Sequence, residues 1–150
     1  MIECVTDRQS GDYVGYGCYC GLGGTGTAID GIDRCCELHD LCYRRIRLEM
    51  DCRTKTDNYS WWCWLDDVSD GGELPDKPPV NETARCSDAN LVCESAICQC
   101  DLAATRCFAR VTYPDEKRSC DQETSSMAKV VNRVFGLWTS VKKFSRWIQD

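Results

Sequence analysis

The chain has 150 residues, fourteen cysteines, one histidine and a net charge of −6. That length suits one domain with a modest core, and the cysteine density indicates a disulfide scaffold made in an oxidising compartment, hence a secreted protein. The close pairs Cys18-x-Cys20, Cys35-Cys36 and Cys98-x-Cys100 lack the spacing of structural zinc sites, no apolar stretch is long enough to span a bilayer, and the acidic balance argues against a nucleic-acid partner.

The opening Met1-Ile2-Glu3-Cys4 has no basic start and no apolar run, so it does not read as a leader. For a secreted protein this implies that a leader and more were removed, or that Met1 is an internal methionine of a longer chain. Residues 5–17, with Gly11, Gly15 and Gly17 among polar residues, read as loop. A glycine-rich stretch follows, Tyr19-Cys20-Gly21-Leu22-Gly23-Gly24-Thr25-Gly26, whose backbone could turn carbonyls toward a cation. Asp30 is a natural N-cap, and Ile32, Cys35, Cys36, Leu38, Cys42 and Ile46 recur with helical spacing from Gly31 to about Met50. This helix carries His39 beside Asp40: a base next to a hard anionic oxygen, as a metal-assisted hydrolase requires.

Tyr59-Ser60-Trp61-Trp62-Cys63-Trp64 reads as a short strand, its tryptophans packing under a hairpin. Residues 65–85 hold three of the four prolines, Gly71-Gly72 and mostly acidic charge, and read as a surface loop with a glycosylation sequon at Asn81-Glu82-Thr83. Asn58-Tyr59-Ser60 fits the same pattern but lies in the aromatic strand. A second helix is expected from about Ala89 to Ala109, capped by Ser87 or Asp88, with Leu91, Val92, Ala96, Ile97 and Cys100 along one side. Cys35 and Cys42 are seven residues apart, as are Cys100 and Cys107, which is two turns in each helix. If the helices lie antiparallel, Cys35 can meet Cys107 and Cys42 can meet Cys100. The same register puts Asp101 within one turn of His39.

The run YGCYCGLGGTGTAIDGIDRCCELHDLCY at 16–43, with NYSWWC at 58–63, CESAICQCD at 93–101 and AATRC at 103–107, resembles the secreted phospholipase A2 family. The likeness covers most of residues 1–120. It implies a mainly α, disulfide-rich fold: two long crosslinked antiparallel helices, a calcium-binding loop and a small β-hairpin. It further implies calcium-dependent hydrolysis of the sn-2 ester of glycerophospholipids at a membrane surface. His39 resembles the general base, Asp101 the carboxylate that fixes its tautomer, and Tyr43 and Tyr59 the hydroxyls that hold that carboxylate. Calcium would take the Asp40 carboxylate and the carbonyls of Tyr19, Gly21 and Gly23, with the Gly21 amide turned to the oxyanion. Few anionic ligands imply weak binding, in the class of about 10⁻⁴–10⁻³ M. The implied disulfides are Cys4–Cys63, Cys18–Cys120, Cys20–Cys36, Cys35–Cys107, Cys42–Cys100, Cys52–Cys93 and Cys86–Cys98, the first resembling the pancreatic and elapid-venom type.

Each residue taken alone has a plainer reading: a hydrogen-bonded histidine, solvated acids, a glycine turn, core tyrosines. Their conjunction in the family's order argues for the catalytic one. A non-enzymatic module of the same fold, acting by receptor or membrane binding, is the rival; such members commonly lack the base or the calcium aspartate, and here His39, Asp40 and Asp101 are all present. The chain departs from the family pattern in three places. Family members carry an amphipathic helix of about two turns before the position of Met1, so an inactive fragment is a further possibility. The 65–85 loop is unusually long, and a tail follows Cys120. The expected organisation is a phospholipase A2 domain at 1–120, with 65–85 inserted, and an amphipathic helical extension at 121–150. In that extension Met127, Val130, Val131, Val134, Leu137, Trp138, Val141 and Ile148 share one face, with Lys129, Arg133, Lys143 and Arg146 mainly opposite. It reads as a helix packed on the body or lying on a membrane surface.

Overall fold

Asp30 begins the longest helix as its sequence position suggests. Its carboxylate accepts the backbone N–H groups of Ile32 at 3.0 Å and Asp33 at 3.1 Å, satisfying two donors that the first helical turn leaves open. In the computed structural model of the chain, which describes residues 1–67 and 76–120, the elements run α1 (Ile2–Thr6), α2 (Ser10–Tyr13), α3 (Gly31–Met50), β1 (Trp61–Cys63), a 3₁₀ turn (Trp64–Asp67), α4 (Val80–Thr83), β2 (Ala84–Cys86) and α5 (Val92–Phe108). Residues Met1–Lys117 form one compact unit; a second starts at Arg118. The extension predicted at 121–150 lies outside the described residues.

Among the described residues the architecture is mainly helical, with one small antiparallel hairpin. α3 and α5 run antiparallel, because Cys35 bonds to Cys107 and, two turns on, Cys42 bonds to Cys100. Cys52–Cys93 closes the same pair of helices near the end of α3. Cys20–Cys36 ties the glycine-rich loop to α3, Cys4–Cys63 ties α1 to β1, and Cys86–Cys98 ties β2 to α5. Cys18 and Cys120 are disulfide-bonded too, so no free thiol remains. β1 and β2 pair with Trp61 opposite Cys86, Trp62 opposite Arg85 and Cys63 opposite Ala84.

The interior is built in three patches around these crosslinks. Tyr13, Tyr16, Ile32 and Phe108 pack together at one end of α3; Val5, Ala84 and Leu102 surround the Cys4–Cys63 bond; Ile46 and Ile97 pack near Cys52 and Cys100. Small patches joined by covalent links are how a chain with a modest core stays folded.

Several expectations are corrected. Residues 5–17 are not all loop: α1 reaches Thr6, where Asp7 turns left-handed at φ 58°, and α2 occupies Ser10–Tyr13. Both are too short to show a period, and are held by burial of Val5 and Tyr13. The 65–85 segment likewise contains α4 and the start of β2; its residues 68–75 lie outside the described residues. α5 begins at Val92, later than expected, because the Glu94 carboxylate accepts the Leu91 N–H at 2.8 Å and closes the helix start there. Leu91 and Val92 are therefore exposed instead of facing α3. Of the tryptophans, Trp64 packs beside the Cys4–Cys63 patch, Trp62 stacks on Arg85, and Trp61 turns to the cavity described next.

Candidate active site

His39 sits midway along α3, on the face turned toward α5, between the Cys35–Cys107 and Cys42–Cys100 disulfides. Its Nε2 lies 2.6 Å from Oδ1 of Asp101 on α5, across 62 residues of sequence. Asp101 also accepts the Tyr43 hydroxyl on Oδ1 at 2.7 Å and the Tyr59 hydroxyl on Oδ2. Tyr43 stands one turn after His39, its ring centroid 4.2 Å from the imidazole, and Tyr59 approaches from the segment before β1. One carboxylate thus gathers groups from α3, α5 and the hairpin's approach.

The electrostatics follow from that convergence. Burial pushes the Asp101 carboxyl upward, but hydrogen bonds from His39, Tyr59 and Tyr43 prevail and hold it below its ordinary value. Burial, reinforced by the bond to anionic Asp101, drives both tyrosine hydroxyls well above theirs, so both stay protonated as donors. An ionised Asp101 accepts a hydrogen bond from Nε2–H, which leaves Nδ1 as the basic nitrogen of neutral His39. An imidazole fixed in this tautomer can take a proton from water.

The site opens into a cavity of about 940 Å³ lined by His39, Asp40, Asp101, Tyr59, Tyr19 and Gly21 together with Ile2, Leu22, Trp61, Leu65, Ala104 and Phe108. The lining is mainly apolar with a few polar groups, the composition expected of a cavity that holds a ligand. Leu22, Val14, Leu65 and Trp61 are exposed at this cavity, Leu22 at 99 %.

Asp40 is next to His39 but points elsewhere, as a step of about 100° around a helix requires. Among the described residues its carboxylate has no ion pair or hydrogen bond; burial raises its proton affinity, with His39 partly opposing. It shares the cavity wall with Tyr19, Gly21 and Leu22; Gly23 is not part of that wall. Among the described residues no three His, Cys, Asp or Glu side chains form a metal cluster, so a cation here would depend on backbone oxygen. An unpaired carboxylate lining the same cavity as Tyr19 and Gly21 offers oxygen donors only, the ligand type that a hard cation such as calcium takes. The loop is curled on itself: Gly21 N–H donates to the Tyr19 carbonyl at 2.8 Å, and Gly23 N–H to the Gly21 carbonyl at 3.1 Å. Tyr19 and Gly21 therefore use one lone pair each within the loop, and the Gly21 amide is engaged.

What sequence reasoning missed is the part that holds this loop. Asp33, fully buried in the first turn of α3, accepts the backbone N–H groups of Cys18 at 2.9 Å, Tyr19 at 2.7 Å and Ile29 at 3.0 Å. Gly17 lies against it: a Cβ there would sit 2.3 Å from Asp33 Cγ, and its φ is +56°. Gly24 packs on the Tyr19 ring, whose hydroxyl donates to the Gly26 carbonyl at 2.7 Å. Asp30, read only as a cap, also accepts the Tyr16 hydroxyl. The available signal was a second aspartate three residues after the cap, close behind glycines.

Comparison with known proteins finds relatives over most of the chain. The family model described as Phospholipase A2 matches residues 1–118. Basic phospholipase A2 1 of Naja sagittifera is 38 % identical over 122 residues, covering 81 % of this chain and 84 % of that protein. A phospholipase A2 of Ovis aries is 38 % identical over 130 residues, covering 82 % and 93 %. Acidic phospholipase A2 of Micrurus dumerilii is 39 % identical over 115 residues, covering 77 % and 85 %.

Proposed function

The chain belongs to the phospholipase A2 family, and from that premise we propose that it is a secreted, calcium-dependent esterase that cleaves the sn-2 ester of glycerophospholipids. The observation that carries the reading is the 2.6 Å contact between His39 and Asp101 at the wall of a largely apolar cavity. Water held at Nδ1 of His39 loses a proton to the ring as its oxygen attacks the ester carbonyl. Collapse of the adduct expels the lysophospholipid alkoxide, which takes that proton back from the imidazole. Asp101 stabilises the transient imidazolium, and Tyr43 and Tyr59 keep Asp101 ionised and oriented. Calcium, when bound, supplies positive charge to the ester oxygen and to the substrate phosphate. The Asp40 carboxylate and the carbonyls of Tyr19, Gly21 and Gly23 would hold it. For Gly21 to give its amide to the oxyanion, it must first release the Tyr19 carbonyl.

Fourteen bonded cysteines support secretion, since such a set forms and persists only under oxidising conditions. The exposed apolar residues at the cavity support delivery of substrate from a phospholipid surface, with residues 121–150 as a candidate second contact. Fatty-acid release from phosphatidylcholine vesicles tests the proposal. His39→Gln is expected to lower the rate by about 10²–10⁴-fold, and chelation of calcium to abolish it; equal rates with and without chelator would remove the metal from the mechanism.

A further inference from the structure

Asn81 and Thr83 belong to the sequon Asn81-Glu82-Thr83, and the structure gives its two functional groups opposite environments. Asn81 is exposed on α4, and among the described residues its side-chain amide has no hydrogen-bond partner. Thr83 is fully buried, its hydroxyl donating to the Pro79 carbonyl at 3.1 Å and reaching the Pro78 carbonyl at 3.4 Å. The Asn81 carbonyl is pinned by the Arg106 guanidinium at 2.6 Å. An enzyme that must engage both the amide and the hydroxyl finds only the amide on the finished fold.

We propose that Asn81 is an N-glycosylation site that is modified on the unfolded chain and closes when β1 and β2 pair. The proposal rests on the secretion read above, because the modifying enzyme and its donor reside on that route. In the transfer, the Asn81 Nδ2 displaces a polyprenyl diphosphate from C1 of its linked oligosaccharide. The N–C1 bond forms, the C1–O bond breaks, the diphosphate leaves with its electron pair, and the amide gives up one proton. No oxidation or reduction occurs.

Thr83 is followed directly by Ala84, which pairs with Cys63 of the Cys4–Cys63 bond, and by Cys86, which bonds to Cys98. The events that bury the hydroxyl are therefore oxidative and lie beside the sequon. Delayed disulfide formation should leave the site readable for longer. The glycan itself is compatible with the candidate site, since none of residues 76–86 lines the cavity. The second sequon differs: Asn58 precedes Tyr59, which bonds Asp101 and lines that cavity, and Ser60 is clamped through its backbone by Asn90. A glycan there would stand beside the cavity wall, and we assign none to it.

The test is expression of the full chain behind a cleavable signal sequence in eukaryotic secretory cells, with medium and cell extract both digested with peptide N-glycosidase. Mass spectrometry is expected to find Asn81 converted to aspartate by the amidase. The mass shift should vanish in Asn81→Gln, persist in Thr83→Ser and Asn58→Gln, and occupancy should rise when mild reductant is present during synthesis. Absence of a glycan from Asn81 both with and without reductant, or a glycan on Asn58 instead, overturns the proposal. So does equal modification in vitro of folded and reduced protein. A glycosylated protein that releases no fatty acid would instead count against the hydrolase reading alone, and an active protein without the glycan would count against this one alone.

Discussion

Asp33 and Asp40 are seven residues apart on one helix, and they differ in the hydrogen bonds that compensate their burial. Asp33 is fully buried yet satisfied by three backbone donors, Tyr19 in the glycine-rich loop and Cys18 and Ile29 on either side of it. Asp33→Ala leaves those donors without an acceptor, and a loss of roughly 3 kcal/mol or more is expected in denaturant unfolding, since each orphan costs about 1–3 kcal/mol. Calcium affinity should fall by about tenfold or more, as it does when the support behind a ligand set is removed; unchanged affinity would show that the loop holds its shape without Asp33. Among the described residues Asp40 accepts no hydrogen bond, and the effect of burial outweighs that of His39, so its charge opposes folding at neutral pH. Asp40→Asn is expected to raise the melting temperature of the calcium-free protein slightly and to abolish the further rise on adding calcium. A full calcium-induced rise in that variant would place the ion elsewhere.

At the scale of elements, the geometry between His39 and Asp101 depends on the register of α3 against α5, and two disulfides set that register. Replacing Cys42 and Cys100 together by alanine opens a link spanning 58 residues; chain entropy puts the expected loss at about 4 kcal/mol, measurable by denaturant unfolding. The rate should fall with it, because Asp101 follows Cys100 directly. This register was legible beforehand, as equal seven-residue spacings on two helices admit an antiparallel match. α3 was legible from Asp30 and its apolar period. α1, α2 and β2 were not, because elements of three to five residues bury too few side chains to print a pattern; tertiary contacts hold them. The start of α5 was misplaced because Ser87 looks like a cap, yet its hydroxyl accepts the Ala89 N–H within a turn while Glu94 closes the helix. Asp33 escaped notice for a similar reason: a buried acid and a solvated acid in a first helical turn look alike until the loop that covers one of them is placed.

For the molecule as a whole, these carboxylates shape stability against pH. Asp101 is held below its ordinary value of 3.8 in the folded state. Its contribution is therefore complete above that value and lost as pH falls through the lower folded one. Asp40 is shifted upward, so acidification relieves its penalty and acts in the opposite sense. Melting temperatures measured from about pH 6 to about pH 2 should fall more steeply for the parent than for Asp101→Asn. Parallel curves would mean that the network around Asp101 contributes nothing to folding. Charge is uneven along the chain as well: residues 1–120 carry 13 Lys and Arg against 21 Asp and Glu, and residues 121–150 carry five against three. Attraction to anionic lipid is therefore expected to reside in the last thirty residues if it is present at all.

Leu22 protrudes between Gly21 and Gly23, and with Tyr19 and Gly21 it lines the same cavity as Asp40. Sinking that leucine into hydrocarbon would gain about 1.5–3 kcal/mol and freeze a stretch of backbone that calcium, held as proposed above, would also freeze. Whichever event comes first then lowers the entropic toll on the other, and reciprocity demands that the help run both ways. On the calcium-binding reading proposed above, adhesion and metal uptake would be two handles on the same few residues.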